Sequence, residues 1–301
     1  GATFAWTVTQ SNVSGAAAGT GAAINQTLTS LSAAGGSATY TVIPTLNGCV
    51  GTPIDVVINV SSNPTAIATP TAQTICSGET TGITLTSTPA GATFNWTTVE
   101  AGATGSSAGT GANINQTLSN AATTPGTVTY TITPNIGTCV GLPIDVIITV
   151  NPLPTAIATP ASQAICSGTS TGIALTSTPA GATFAWTVAE SGTSGASAGA
   201  GANINQTLSV TGLVSGTTTY RVTPAIGVCV GSPIDVLITV NPTPTVAATP
   251  TAETICSGTS TGIALSSTPI GATFAWTVVE SGTSGASAGN GSSINQTLSA
   301  T

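Results

Sequence analysis

The chain has 301 residues, of which 40% are hydrophobic and 3% charged, and its eight acids against one base leave a formal net charge of −7 with no histidine. Such a chain offers almost nothing to neutralise phosphate, which argues against nucleic acid and against an anionic membrane surface, and the lack of histidine removes Ser-His-Asp and Cys-His chemistry. No apolar run approaches the ~18 residues that would suggest a bilayer-spanning helix, while a mean hydropathy of +0.42 argues against disorder.

The segment Gly-Ala-Thr-Phe-(Ala/Asn)-Trp-Thr starts at Gly1, Gly91, Gly181 and Gly271, so one unit recurs every 90 residues without insertion or deletion. Trp6, Trp96, Trp186 and Trp276 keep this step, as do Tyr40, Tyr130 and Tyr220. A fixed period predicts an array of like domains, and a catalytic centre built once would break it. Proline-rich connectors at Ser62-Asn63-Pro64, Asn151-Pro152-Leu153-Pro154 and Asn241-Pro242-Thr243-Pro244 set the phase, because proline stiffens an extended chain and removes donors. The expected division is a partial unit 1–64 holding the later strands, complete units 65–154 and 155–244, and a partial unit 245–301 holding the earlier strands. Residue 1 falls inside a repeat, so the chain reads as a window on a longer protein.

Within 65–154 the strands are expected in this order. A first strand covers Ala66 to Ile75, and Ile83 and Leu85 alternate with threonines in the next. Phe94 and Trp96 mark a third, and a short strand is expected near Thr104 to Ala108. Ile114 and Leu118 bracket another; Val128, Tyr130 and Ile132 alternate with Thr129, Thr131 and Thr133; Val146, Ile148 and Val150 share one face of the last. No helical period of useful length occurs. Six or seven strands in 90 residues predict an all-β chain, a tandem array of Ig-like or PKD-like sandwiches. At about 3.3 Å per residue, plus loops, each sandwich would be roughly 35 to 45 Å long.

Phe94, Trp96 and Tyr130, with Phe184, Trp186 and Tyr220 one period on, are read as core, because they alternate with polar residues; a carbohydrate-stacking platform is the functional alternative. The threonine row at 129, 131 and 133 resembles an ice- or glycan-binding array, but a soluble strand face explains it more simply. Asp55, Asp145 and Asp235, and Glu100, Glu190 and Glu280 with Gln10 in the first copy, lack the paired carboxylates of a hydrolase and the dense oxygen loop of a calcium site. They read as solvated charges that protect strand edges. The glycine-rich stretch Gly105 to Gly111 lacks the lysine of a phosphate loop and reads as turns. The Asn-Gln-Thr triplets at Asn25, Asn115, Asn205 and Asn295 match an N-glycosylation sequon, read here as an accidental match. No cofactor or metal is expected.

The order Thr-Ile-Cys-Ser-Gly (74–78), Phe-Asn-Trp (94–96), Thr-Val-Thr-Tyr-Thr-Ile-Thr (127–133), Gly-Thr-Cys (137–139) and Ile-Asp-Val-Ile-Ile-Thr-Val-Asn-Pro (144–152) resembles the tandem PKD-like or Ig-like repeats of giant Bacteroidetes surface proteins, gliding-motility adhesins among them. The resemblance runs repeat by repeat along the whole chain. It implies type IX export, an extracellular cell-surface location, and a role as stalk or filament.

Six cysteines at two positions per period suggest structural disulfides in an oxidising compartment; without a CxxC pair or a histidine, zinc is a poor alternative. Pairing within a complete unit joins Cys76 to Cys139 and Cys166 to Cys229, each closing 63 residues, and is the favoured scheme. A second joins Cys49 to Cys76, Cys139 to Cys166 and Cys229 to Cys256 across the connectors. A third, Cys76 to Cys229, follows if the two positions lie at opposite ends of a sandwich.

These features point to a non-enzymatic extracellular spacer whose partners are neighbouring repeats of the same chain, with like chains in a filament or surface glycans as candidate external partners. Repeats that themselves bind glycan or protein, and accessory domains of a large secreted enzyme, are the alternatives. Head-to-tail strand donation is less favoured, because the partial units of 64 and 57 residues overlap by 31 when combined.

Overall fold

The computed structural model describes residues 1–301 and contains strands but no helix. It divides into two compact units, Gly1–Leu153 and Pro154–Thr301.

In the first unit, the segment 65–154 supplies nine strands: β1 (Thr65–Thr69), β2 (Ala72–Cys76), β3 (Ile83–Thr88), β4 (Thr93–Ala101), β5 (Gly109–Thr110), β6 (Asn113–Ile114), β7 (Gly126–Ile136), β8 (Cys139–Val140) and β9 (Ile144–Asn151). They form a three-stranded sheet in the order β6-β3-β1 and a larger one in the order β5-β4-β7-β9-β2, with β8 on the end of β7. All pairings are antiparallel except β9 with β2, which run parallel from Ile147 opposite Ala72 to Asn151 opposite Cys76. The core lies between the sheets: β3 contributes Ile83 and Leu85, β4 contributes Phe94 and Trp96, and the inward positions of β7 and β9 supply Tyr130 and Ile148. Their alternation with threonine puts every second side chain of β7 inside, from Val128 to Ile132.

Three details differ from the sequence expectation. The first strand, expected as one run from Ala66 to Ile75, is two strands in different sheets. Pro70 lies in the gap, where it lacks the N–H that a continued ladder would need. The run from Ile114 to Leu118 is a strand only at Asn113–Ile114, because the Thr81 hydroxyl accepts from the Gln116 amide (2.9 Å) and donates to the Ile114 carbonyl (2.8 Å), taking groups a ladder would use. Near Thr104 there is a single bridge to Ser119, and the short strand lies further on, at Gly109–Thr110, opposite Asn95 and Trp96. Gly109 is needed there, since a Cβ at that position would stand 2.7 Å from the Trp96 ring.

Segment 1–64 of the same unit holds the counterparts of the larger sheet, with Thr3–Ser11, Gly36–Leu46 and Ile54–Val60 side by side. Its core is small, built on Trp6, Ala16, Ala38 and Tyr40.

The second unit repeats the pattern. Thr155–Thr159 pairs with Ile173–Thr178 in one sheet, and Thr183–Ser191, Gly216–Ile226, Ile234–Asn241 and Ser162–Cys166 form the other. Phe184, Trp186 and Tyr220 lie in its core. From residue 245 onward the larger sheet is reduced to Ala275–Trp276 against Gly289–Asn290.

Candidate functional site

The most persistent constellation links the buried aromatics to one glutamine. The Gln116 side-chain oxygen accepts hydrogen bonds from the Tyr130 hydroxyl (2.9 Å) and the Ser107 amide (2.9 Å), and its Nε2 donates to the Ser107 carbonyl (2.8 Å). The same carbonyl accepts from the Trp96 indole at 3.1 Å. Gln26 repeats the arrangement with Ala17, Tyr40 and Trp6, and Gln206 with Ser197, Tyr220 and Trp186. Gln296 holds Ser287 and, through its carbonyl, Trp276. The clamp ties the loop after β4 to β7, and no buried side-chain polar atom anywhere in the chain lacks a partner. Burial pushes the Tyr130 and Tyr220 hydroxyls up to about 12. Glutamine is the middle residue of each Asn-Gln-Thr triplet, so the recurring triplet has a structural reason. The sequence showed that recurrence; which residue of the triplet does the holding became visible only with the loop folded back.

The acids are anchored locally. The amide and hydroxyl of Ser106 donate to Glu100 at 2.7 and 2.8 Å and hold its carboxyl below the usual range. Glu190 and Glu280 accept from the amides of Ala196 and Ala286, and Gln10 instead donates to the Ala16 carbonyl. These residues clasp the loop that follows their strand, a role that reading them as edge charges missed. Asp55 and Asp145 accept from Thr41 and Thr131 across the exposed sheet face, and Asp235 faces Arg221 at 3.4 Å. No three His, Cys, Asp or Glu side chains come together as a metal site would require. Thr129, Thr131 and Thr133 are half-buried on the outer face of β7. A shallow depression lined by Thr93, Phe94, Asn95, Thr110 and Gly111 recurs at Thr273, Phe274, Ala275, Asn290 and Gly291.

Cys76 and Cys229 are disulfide-bonded, whereas Cys49, Cys139, Cys166 and Cys256 carry free thiols. The favoured pairing within each complete unit is therefore overturned, and sheet geometry explains why. Cys76 stands opposite Asn151, beside the Gly126 end of β7, while Cys139 stands opposite Ile136 at the other end. Eleven residues of β7 lie between those ends, about 30 Å at ~3.3 Å per residue, and a disulfide needs its Cα atoms within ~7 Å. Cys166 opposite Asn241 and Cys229 opposite Ile226 are separated in the same way. The connector-spanning scheme fails too, since each of its pairs includes a free thiol.

Two of the three proline connectors dock on the repeat that follows them. Pro64 is buried, and a Cβ on Gly141 would stand 1.8 Å from its carbonyl oxygen. Pro154 is buried likewise, with the corresponding distance from Gly231 only 1.7 Å. A glycine in the loop after the cysteine hairpin thus admits the backbone of the connector.

Fold and recurring clamp together define a tandem β-sandwich repeat protein. Residues 1–64, 73–154 and 163–244 match the model of the PKD-like domain, and the chain belongs to that family. No curated protein matches it. Among solved structures it is similar to protocadherin gamma B2 extracellular cadherin domains 3-6 (14% identity, 88% of this chain and 76% of that one, TM-score 0.29). It is also similar to Sidekick-1 immunoglobulin domains 1-5 (12% identity, 80% and 52%, TM-score 0.29) and to the N-terminal four Ig domains of Dscam1 isoform 6.9 (12% identity, 69% and 54%, TM-score 0.28). The chain spans about half the length of these last two, and scores this low carry no argument about function.

Proposed function

We propose that this chain is a non-enzymatic, extracellular structural region, the stalk or filament shaft of a bacterial cell-surface adhesin of the gliding or adhesion type. The observation that carries this reading is the docking of Pro64 against Gly141 and of Pro154 against Gly231, which fixes these two connectors to the sandwich that follows each. Domain boundaries at those connectors, 1–64, 65–154, 155–244 and 245–301, belong to the same proposal. The mechanism is mechanical: sandwiches in series, each closed by its own core and glutamine clamp, hold a distal binding tip away from the cell. Export through the type IX route and a Bacteroidetes origin are supported by the sequence resemblance alone. Small-angle scattering of the whole chain tests the reading; an elongated particle is expected, and a compact globule would overturn it.

A second reading, in which the repeats themselves bind glycan or protein, is favoured by the depression beside Phe94 that recurs beside Phe274. A glycan array probed with the full chain would show specific binding lost when Asn95→Trp and Ala275→Trp are combined if this reading holds, and no binding above background otherwise.

A further inference from the structure

The two complete repeats keep the same strands but differ at one corner of the larger sheet. Segment 65–154 places Asn95 on β4, Thr110 on β5 and Asn135 on β7, where segment 155–244 has Ala185, Ala200 and Ala225. Register brings the polar trio together: Asn95 stands opposite Thr110, and Asn135 stands opposite Thr93, two residues before Asn95 on the same strand. Alternation turns Asn95 outward, since Phe94 and Trp96 on either side of it are buried while Asn95 and Thr110 are exposed. The two amides bond each other. Nδ2 of Asn135 donates to Oδ1 of Asn95 (2.7 Å) and to the Thr133 carbonyl (3.3 Å). Nδ2 of Asn95 is left as a donor, Oδ1 of Asn135 as an acceptor and the Thr110 hydroxyl as either. Asn95 and Thr110 line the depression of about 490 Å³ beside Phe94 and Gly111.

We propose that segment 65–154 carries a subsite for one neutral sugar unit of a polysaccharide, with adjacent hydroxyls held by Asn95, Asn135 and Thr110. The proposal rests on the second reading above and narrows it to one repeat and one chemistry. A sugar hydroxyl both donates and accepts, so two adjacent hydroxyls are matched by a carboxamide donor beside a carboxamide acceptor. The bond between the two amides fixes them in advance, and less side-chain freedom is then lost on binding. The sugar is uncharged because the segment holds three acids, Glu79, Glu100 and Asp145, and no base, so a uronate or a sulfated sugar would meet like charge without a counter-ion. An added peptide strand does not fit, because β4 is flanked by β5 and β7, and β7 by β4 on one side and by β8 and β9 on the other, which leaves no open edge at these residues.

The test is affinity electrophoresis of the full chain through native gels containing mannan, galactan or β-glucan as neutral probes and polygalacturonate as the anionic one. Segment 155–244 shows which side chains the fold accepts at these positions, since Ala185 and Ala200 pair there as Asn95 and Thr110 do, and Ala225 stands opposite Thr183. One variant, Asn95→Ala with Thr110→Ala and Asn135→Ala, copies that repeat; the reverse, Ala185→Asn with Ala200→Thr and Ala225→Asn, transfers the trio into it. The unsubstituted chain is expected to be retarded by at least one neutral polysaccharide and not by polygalacturonate. The first variant is expected to lose the retardation, and the second to be retarded more, because a second subsite on one chain adds avidity. Retardation that persists in the first variant overturns the assignment to these residues; if Asn95→Trp with Ala275→Trp then abolishes it, the broader glycan reading stands without them. Retardation by polygalacturonate as strong as by the neutral polymers overturns the choice of a neutral sugar, and no retardation by any neutral polymer overturns the subsite and the glycan reading together.

Discussion

Segments 1–64 and 65–154 carry nearly the same strands, yet the same side chains meet different surroundings. Val146 and Ile148 are 1% and 0% exposed, while their counterparts Val56 and Ile58 are 40% and 41% exposed. The difference is the small sheet: Ile83 and Leu85 of β3, with Ala68 of β1, cover the larger sheet in 65–154, and segment 1–64 has no equivalent strands. Burial is therefore a property of the pair of sheets. An alternating strand becomes core only when its partner sheet is present, which is why the period and not the single strand is the unit of stability.

Ile148→Ala should break this contrast most sharply. A cavity in the closed core costs about 2–5 kcal/mol, whereas Ile58→Ala should cost under about 1 kcal/mol because its side chain is already partly in water. Denaturant melts of the two variants measure the gap. Next comes the connector: Gly141→Ala puts a methyl group into the Pro64 carbonyl, with an expected loss of about 1–3 kcal/mol from overpacking. Gly51→Ala meets only the edge of the Pro44 ring at 2.9 Å and should cost less. The clamp follows. Gln116→Ala strips the buried Tyr130 hydroxyl of its acceptor, at about 1–3 kcal/mol, while Gln296→Ala has no tyrosine to orphan and should be milder.

The smallest expected effects are in pH. Tyr130 and Tyr220 ionise near 10 when unfolded but only at about 12 when folded. The unfolded chain therefore releases these protons first; their contribution is fully present below pH 10 and is lost as pH rises toward 12. Base titration followed by tyrosinate absorbance should show late, cooperative ionisation, with the late step reduced by Tyr130→Phe. Glu100 shifts the other way, so its modest contribution is present above the ordinary carboxylate range and fades as acid protonates it.

Much of the fold was legible because alternation states directly which faces are buried, and Phe94, Trp96, Tyr130 and their counterparts at 184, 186 and 220 all lie in the cores. What escaped was set by single atoms. Pro70 divides the first strand between two sheets, and the Thr81 hydroxyl ends the strand at Ile114 by capturing the Gln116 amide. Gln116 itself sits in an exposed-looking triplet, and no periodicity reveals that its side chain reaches Tyr130. The cysteines divided: the favoured closure within a repeat fails because both of its cysteines lie on the same sheet at its two ends, whereas the third scheme started from that separation, and the two residues it named, Cys76 and Cys229, are the bonded ones.

The central claim is that the repeat is an independent mechanical unit. Stretching the whole chain from its two ends in reducing buffer, so that no disulfide shields any segment, tests it most directly. Two separate unfolding events of equal size should appear, one for each complete sandwich, each releasing about 300 Å of extended chain less the folded length, from ~3.3–3.6 Å per residue over 90 residues. A single event, or a smooth extension without steps, would contradict it.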